Sequence, residues 1–261
     1  MESEIPARRT QRRGIYLLPN LLTTGCLFAG FYAIVAAIDG NFERAGVAVF
    51  VAMIFDGLDG RVARLTSTES AFGKEYDSLA DMVAFGLAPA IVSYQWGVAR
   101  IAEYGKAWYR FGWVAAFFFA AACALRLARF NVRAALDKRY FEGLPCPSAA
   151  AVVAAFVWLS SEWREPGLPG LISAFLITAS AGALMISRFS YSSFKQFDLS
   201  KPVRFIWLVV VVLGFVILAP HPQSVLLAVF GGYALWAPLV WVWRRLRRSQ
   251  RDRAASERRA R

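Results

Sequence analysis

Apolar residues fall in eight long runs separated by short polar breaks. The first covers roughly 15–38 and stops at Asp39-Gly40-Asn41. The second starts near Ala45 and runs into a polar stretch that opens at Asp56. The third extends from about Leu79 to Val98, and the fourth, rich in aromatics, covers 111–130. The others cover 147–163, 168–187, 203–219 and 223–243. Each is near the ~20 residues that cross a hydrocarbon core. Backbone groups in lipid must bond within their own segment, so each run is expected to be a helix. The pattern predicts an all-α, polytopic membrane protein with eight transmembrane helices. Its organisation would be a basic tail at 1–14, an eight-helix domain at 15–243 and an arginine-rich tail at 244–261, disordered beyond Ser249.

The charges support this reading. The 261 residues are 57% hydrophobic and 18% charged, below the roughly 25% charged residues of soluble domains. A net charge of +12 could suggest nucleic-acid binding, but its placement argues against that. The cations gather in the tails and in breaks that alternate with acidic ones, as the positive-inside rule requires. Arg61, Arg64 and Lys74, the 126–139 cluster, and Arg188, Lys195, Lys201 and Arg204 share one predicted side with both tails. The breaks at 39–44 and 162–165 are net acidic, and the turn at His221 has no Lys or Arg. The break at 99–110 is basic, and is expected to lie along the interface with Trp96, Trp108 and Tyr109 as anchors. Both termini are thus expected in the cytoplasm of a cell whose inner membrane the chain spans. The nine arginines of the last segment fix topology or meet anionic headgroups.

One polar stretch stands out. Asp56, Asp59, Asp77 and Asp81 lie within twenty-six residues, interleaved with Gly57, Gly60, Ala63, Gly73 and Ala80. Asp56 follows Ala45 by eleven residues, about 16–17 Å of helix, roughly half the membrane thickness. Asp56, Asp59, Gly60 and Ala63 share one helical face, and Gly73, Asp77 and Asp81 share another. Small side chains let the two faces approach. Carboxylates at that depth are costly unless protonated or bridged by cations. Oxygen-only donors point to hard divalent ions such as Mg²⁺, Mn²⁺ or Ca²⁺. Two such ions bridging the carboxylates would clamp phosphates, and Arg64 is placed to hold one. Cys26, Cys123 and Cys146 have no metal-ligand spacing and read as packing residues. A single histidine, His221, excludes a histidine ligand cluster. An ion-coupled transporter would also carry intramembrane carboxylates, and stands as the reading of a different class. Its mark, paired broken helices in repeated halves, is not found.

The string Asp56-x2-Asp59-Gly60-x2-Ala63-Arg64-x8-Gly73-x3-Asp77-x3-Asp81 resembles the signature of the CDP-alcohol phosphotransferase family at every position. More narrowly, LPNLLTTG at 18–25, FGKEYDSLADMVAFGLAPA at 72–90, ALRLARFN at 124–131 and KRYFEGLPCPSAAA at 138–150 resemble its bacterial, membrane-integral phosphatidylserine synthase branch. The resemblance implies the family's helical fold. It implies a two-metal centre on Asp56, Asp59, Asp77 and Asp81, with Asp81 as general base. Asn20, Thr23, Asp59, Gly60, Ala63, Arg64, Ser70 and Gly73 would bind the CDP-lipid. The implied substrates are CDP-diacylglycerol and L-serine, with CMP as leaving group, within membrane lipid and in a homodimer. The serine carboxylate needs cations, so Arg126, Arg129 and Asn131, at the inner end of the fourth run, are candidates together with Ser78. Glycerol 3-phosphate or an inositol phosphate remains open as acceptor.

Overall fold

The computed structural model describes residues 17–66, 68, 70–98, 106–133, 141–162, 167–191 and 220–259. Apart from one two-residue ladder, the regular structure among them is helical. Helix α1 is Leu17–Ile38, and Gly40, with φ 74°, turns the chain back. Helix α2, Phe42–Leu65, starts at Asn41, whose side chain accepts from the Arg44 amide at 3.2 Å. Helix α3, Ala71–Asp81, starts at Ser70, whose hydroxyl accepts from the Gly73 amide at 2.9 Å.

The chain then stays helical but changes gauge. A π-helical segment at Met82–Leu87, helix α4 at Ala88–Ser93 and a second π segment at Tyr94–Val98 follow without a break. Helix α5 is Lys106–Arg133, α6 is Cys146–Ser160, α7 is Leu168–Ile186 and α8 is Pro222–Arg259. Strands β1, Phe141–Glu142, and β2, Ser190–Tyr191, pair antiparallel, with Phe141 opposite Tyr191. Burial beside Tyr233 pushes the Tyr191 phenol up to about 12, so it stays protonated and donates to the Ala234 carbonyl at 2.9 Å.

Seven of the eight expected runs correspond to described helices, and the run at 203–219 lies outside the described residues. Among the described residues, four helices are long and apolar enough to cross a membrane: α1, and the portions Gly112–Val132, Leu168–Ile186 and Pro222–Trp243 of the α5, α7 and α8 regions. Helix α6 is shorter and apolar all round, and Ala149 to Val157 are buried on every side. An all-apolar helix belongs at the centre of a bundle, and α6 packs against α2, α4, α7 and α8.

Two expectations fail. Helix α8 continues to Arg259 instead of fraying after Ser249. No Gly or Pro follows Pro238, and the tail is rich in the helix formers Arg and Ala. Arg245 and Arg247 lie over the Trp241 and Trp243 rings at 5.1 and 3.7 Å, one turn on. Trp96 is no interfacial anchor either. It is 3% exposed and meets Phe156 of α6 edge-on at 5.6 Å, and the second π segment that carries it also packs against α7. The break at 99–105 lies outside the described residues.

The site depends on the first three helices. Helices α1 and α2 meet along small residues, Cys26, Ala29 and Ala33 with Ala48 and Ala52, and Ala36 and Ala37 with Ala45. Such stripes let membrane helices approach closely. A β-carbon on Gly30 would stand 2.6 Å from the Ala84 Cα, so α1 lies directly on the first π segment.

Candidate active site

The aspartates of α2 and α3 face each other. Ligating oxygens of Asp56, Asp59 and Asp77 lie within 4.8 Å of one another. Asp59 is buried, and its Oδ2 accepts from the Thr23 hydroxyl of α1 at 2.8 Å. Asp81, one turn beyond Asp77, stands outside this triad. Its Oδ1 is shielded from solvent and has no hydrogen-bond partner. Cys26 of α1 is buried in the core that backs these helices.

These donors fit a divalent cation. They are all carboxylate oxygens, three converge, and a fourth group has an orphaned oxygen beside them. Converging carboxylates repel, and hard ions with oxygen ligands relieve that repulsion. Asp56, Asp59 and Asp77 are the residues that could hold the ion.

A cavity of about 470 Å³ opens beside the triad, in the range of small-ligand sites. Asn20, Thr23, Asp59, Gly60, Ala63, Ser70 and Gly73 all line it, with Asp77 at its metal end. A β-carbon on Gly60 would meet nothing within 4 Å, so the backbone there is open to a ligand. On Gly73 it would crowd Ser70 Oγ at 3.0 Å and Asn20 Oδ1 at 3.4 Å. Arg64 is the exception. It is exposed, its Nε donates to the Gly60 carbonyl at 2.8 Å, and it is not among the lining residues. Thr68 and Lys74 also line the cavity. Lys74 follows Gly73 directly, which was its sequence signal; Thr68 had none. Thr24 shares a 2.9 Å hydrogen bond with Tyr76, tying α1 to α3.

The acceptor candidates divide. Asn131 of α5 donates to Ser78 Oγ of α3 at 2.9 Å, and Ser78 donates to the Lys74 carbonyl. Arg126 turns instead to α6, where its Nη1 lies 3.6 Å from Cys146 Sγ. Arg129 is half-buried with no hydrogen bond or ion pair among the described residues. Cys146 had read as packing alone, because nothing in its spacing shows that α6 starts beside Arg126.

A second cavity, of about 830 Å³, lies between α1 and α2. Leu21, Phe28, Tyr32, Val47, Val51 and Phe55 make it apolar, and Glu43 and Arg44 mark one end. Thr24 and Phe55, the neighbours of Thr23 and Asp56, mark the other.

Comparison with known proteins agrees with this geometry. The chain is 35% identical over 232 residues to a CDP-diacylglycerol–serine O-phosphatidyltransferase of Helicobacter pylori, covering 88% of this chain and 92% of that one. It is 32% identical over 248 residues to the Mycobacterium leprae protein of the same name, covering 91% and 74%. An archaetidylserine synthase of Methanothermobacter thermautotrophicus is 36% identical over 177 residues, covering 67% and 69%. The model of the CDP-alcohol phosphatidyltransferase family matches residues 16–187, a span that takes in every aspartate of the cluster and both walls of the 470 Å³ cavity. A transporter does not account for that match, and the chain belongs to the CDP-alcohol phosphatidyltransferase family.

Proposed function

We propose that this membrane enzyme transfers a phosphatidyl group from CDP-diacylglycerol to L-serine, giving phosphatidylserine and CMP. The observation that carries the reading is the aspartate triad within 4.8 Å, set against a nucleotide-sized cavity. The names of the relatives supply the donor and the acceptor.

The cytidine and its phosphates would occupy the Asn20–Gly73 cavity, where Gly60 and Gly73 leave the backbone bare. Asp56, Asp59, Asp77 and Asp81 would hold two divalent cations, Mg²⁺ or Mn²⁺. Bound there, the cations supply charge neutralisation at the phosphates. Asp81 would take the proton from the acceptor hydroxyl. The hydroxyl oxygen then bonds to the phosphorus that bears diacylglycerol, the bond from that phosphorus to CMP breaks, and CMP leaves. The apolar cavity between α1 and α2 suits one acyl chain, since it starts beside Asp56 and runs along the membrane-spanning helices. Ser78, Arg126, Arg129 and Asn131 are the acceptor-side candidates.

The positive-inside pattern supports eight spans in an inner membrane, the seventh being 203–219, with both tails and the active site cytoplasmic. A homodimer is the expected assembly.

Purified protein in detergent, given CDP-diacylglycerol, Mn²⁺ and in parallel serine, glycerol 3-phosphate or inositol phosphate, tests the reaction. CMP release with serine alone is expected, lost with EDTA and restored by Mg²⁺ or Mn²⁺. Release with none of the three sinks the transferase reading; release with another acceptor alone sinks the serine assignment. Cysteine labelling of either tail from the cytoplasmic side only would support the orientation.

A further inference from the structure

Arg126 forms no ion pair among the described residues. Its Nη1 approaches Cys146 Sγ at 3.6 Å, and its Nε is shielded from water with no hydrogen-bond partner. Cys146 is fully buried, and its thiol donates to the Cys123 carbonyl at 3.8 Å. With the proton directed there, sulfur turns lone pairs to the guanidinium. Thiol sulfur is a weak acceptor. The contact therefore orients the guanidinium and leaves its charge whole. A shielded N–H with no acceptor is costly, and a ligand anion would relieve it.

The surroundings say which anion. Asp81 Oδ1 is likewise shielded and partnerless, and the π segment that Asp81 opens packs against both α5 and α6. An unmet cation and an unmet carboxylate thus lie on elements in direct contact. The acceptor that suits both ends has a carboxylate for Arg126 and a hydroxyl for Asp81. Ser78 and Asn131 already satisfy each other at 2.9 Å, and so compete less well for the acceptor carboxylate.

We propose that Cys146 is the positioning residue of the acceptor subsite: it holds Arg126 without neutralising it, and the free edge of the guanidinium takes the acceptor carboxylate. This rests on the serine-transfer reading. A carboxylate at position 146 would pair with Arg126 and close the subsite, whereas a hydroxyl there would keep it open.

The test is steady-state CMP release by the full-length protein, with the KM for serine and for CDP-diacylglycerol measured separately. Cys146→Asp should raise the serine KM about tenfold or more and leave the CDP-diacylglycerol KM within about twofold. Cys146→Ser should keep the serine KM within about threefold of wild type. The proposal is overturned by an unchanged serine KM in Cys146→Asp, by an equal rise in both KM values, or by Cys146→Ser as damaged as Cys146→Asp. Should Cys146→Asp lose its thermal transition, Arg126→Gln takes its place, with the same selective rise in serine KM expected and an equal rise in both again overturning the subsite. Wild-type protein that releases no CMP with serine would bring down the serine reading instead, a result separate from any of these.

Discussion

Thr23 links two helices with one hydroxyl. It donates to Asp59 at 2.8 Å, and its Oγ also lies 3.1 Å from the Pro19 carbonyl. A hydrogen bond to a charged group is worth about 1.5–3 kcal/mol. Thr23→Val keeps the shape and removes the donor, so it should weaken Mn²⁺ binding about tenfold, read by electron paramagnetic resonance, with little change in melting temperature. Asp81→Asn keeps size and loses basicity. It should cut turnover by about a hundredfold or more while CDP-lipid binding survives; normal turnover would remove Asp81 as the base. The aspartates and the small residues between them were legible because i, i+3 and i+4 spacing places them on one face whatever else the protein does. The opposite wall was not. Cys26 and the Arg126–Cys146 contact depend on how each helix is rotated about its axis, and spacing within one segment does not encode that.

Among the elements, the π segment after Asp81 has the most distinctive role. A π turn inserts an extra residue into an α-helix and often sits at a functional site. Here it lets α3 present Asp77 and Asp81 to α2, while Ala84 packs under Gly30 of α1. Gly30→Leu places a branched side chain where 2.6 Å is available, and overpacking of this kind costs about 1–3 kcal/mol. It should lower the melting temperature in detergent by several degrees and cut CMP release, as α3 shifts. The groove between α1 and α2 gives a separate test. Val51→Trp should raise the KM for long-chain CDP-diacylglycerol and spare a dihexanoyl analogue; equal effects on both would remove the acyl chain from this groove. The helix starts at Asn41 and Ser70 carry capping chemistry, but the hydropathy runs opened later, near Ala45 and Leu79, because the first turns of α2 and α3 are polar. The π segments were not legible, since apolar membrane sequence looks the same at either pitch. Arginine-rich composition suggested disorder in the tail of α8, where helix propensity prevails.

For the molecule as a whole, hydropathy located seven of the described helices but not their arrangement, because lipid-facing and buried helices are both apolar. Helix α6 is central, with Ala149, Ala150, Ala151, Ala154 and Ala155 all at 0% exposure, although its sequence reads as one more span. On the proposed reaction its position also divides the two halves, with the donor-side groups on α1 to α3 and the proposed acceptor subsite on α5 and the start of α6. Substitutions at the start of α6 should therefore change serine kinetics without changing Mn²⁺ binding, and a variant there that loses both at once, with its melting temperature intact, would contradict the division.

The direct contact of α1, α2 and α3 also has a consequence for biosynthesis. All four aspartates and the threonine that braces them are translated by residue 81, whereas Arg126 and Cys146 come 45 and 65 residues later. At about 5–20 residues per second, Arg126 trails Asp81 by roughly 2–9 s. During that interval the nascent chain carries its acidic cluster without the helices that will cover it. A cation is then the nearest means of relieving the repulsion within that cluster, so ion capture would belong to folding as well as to turnover.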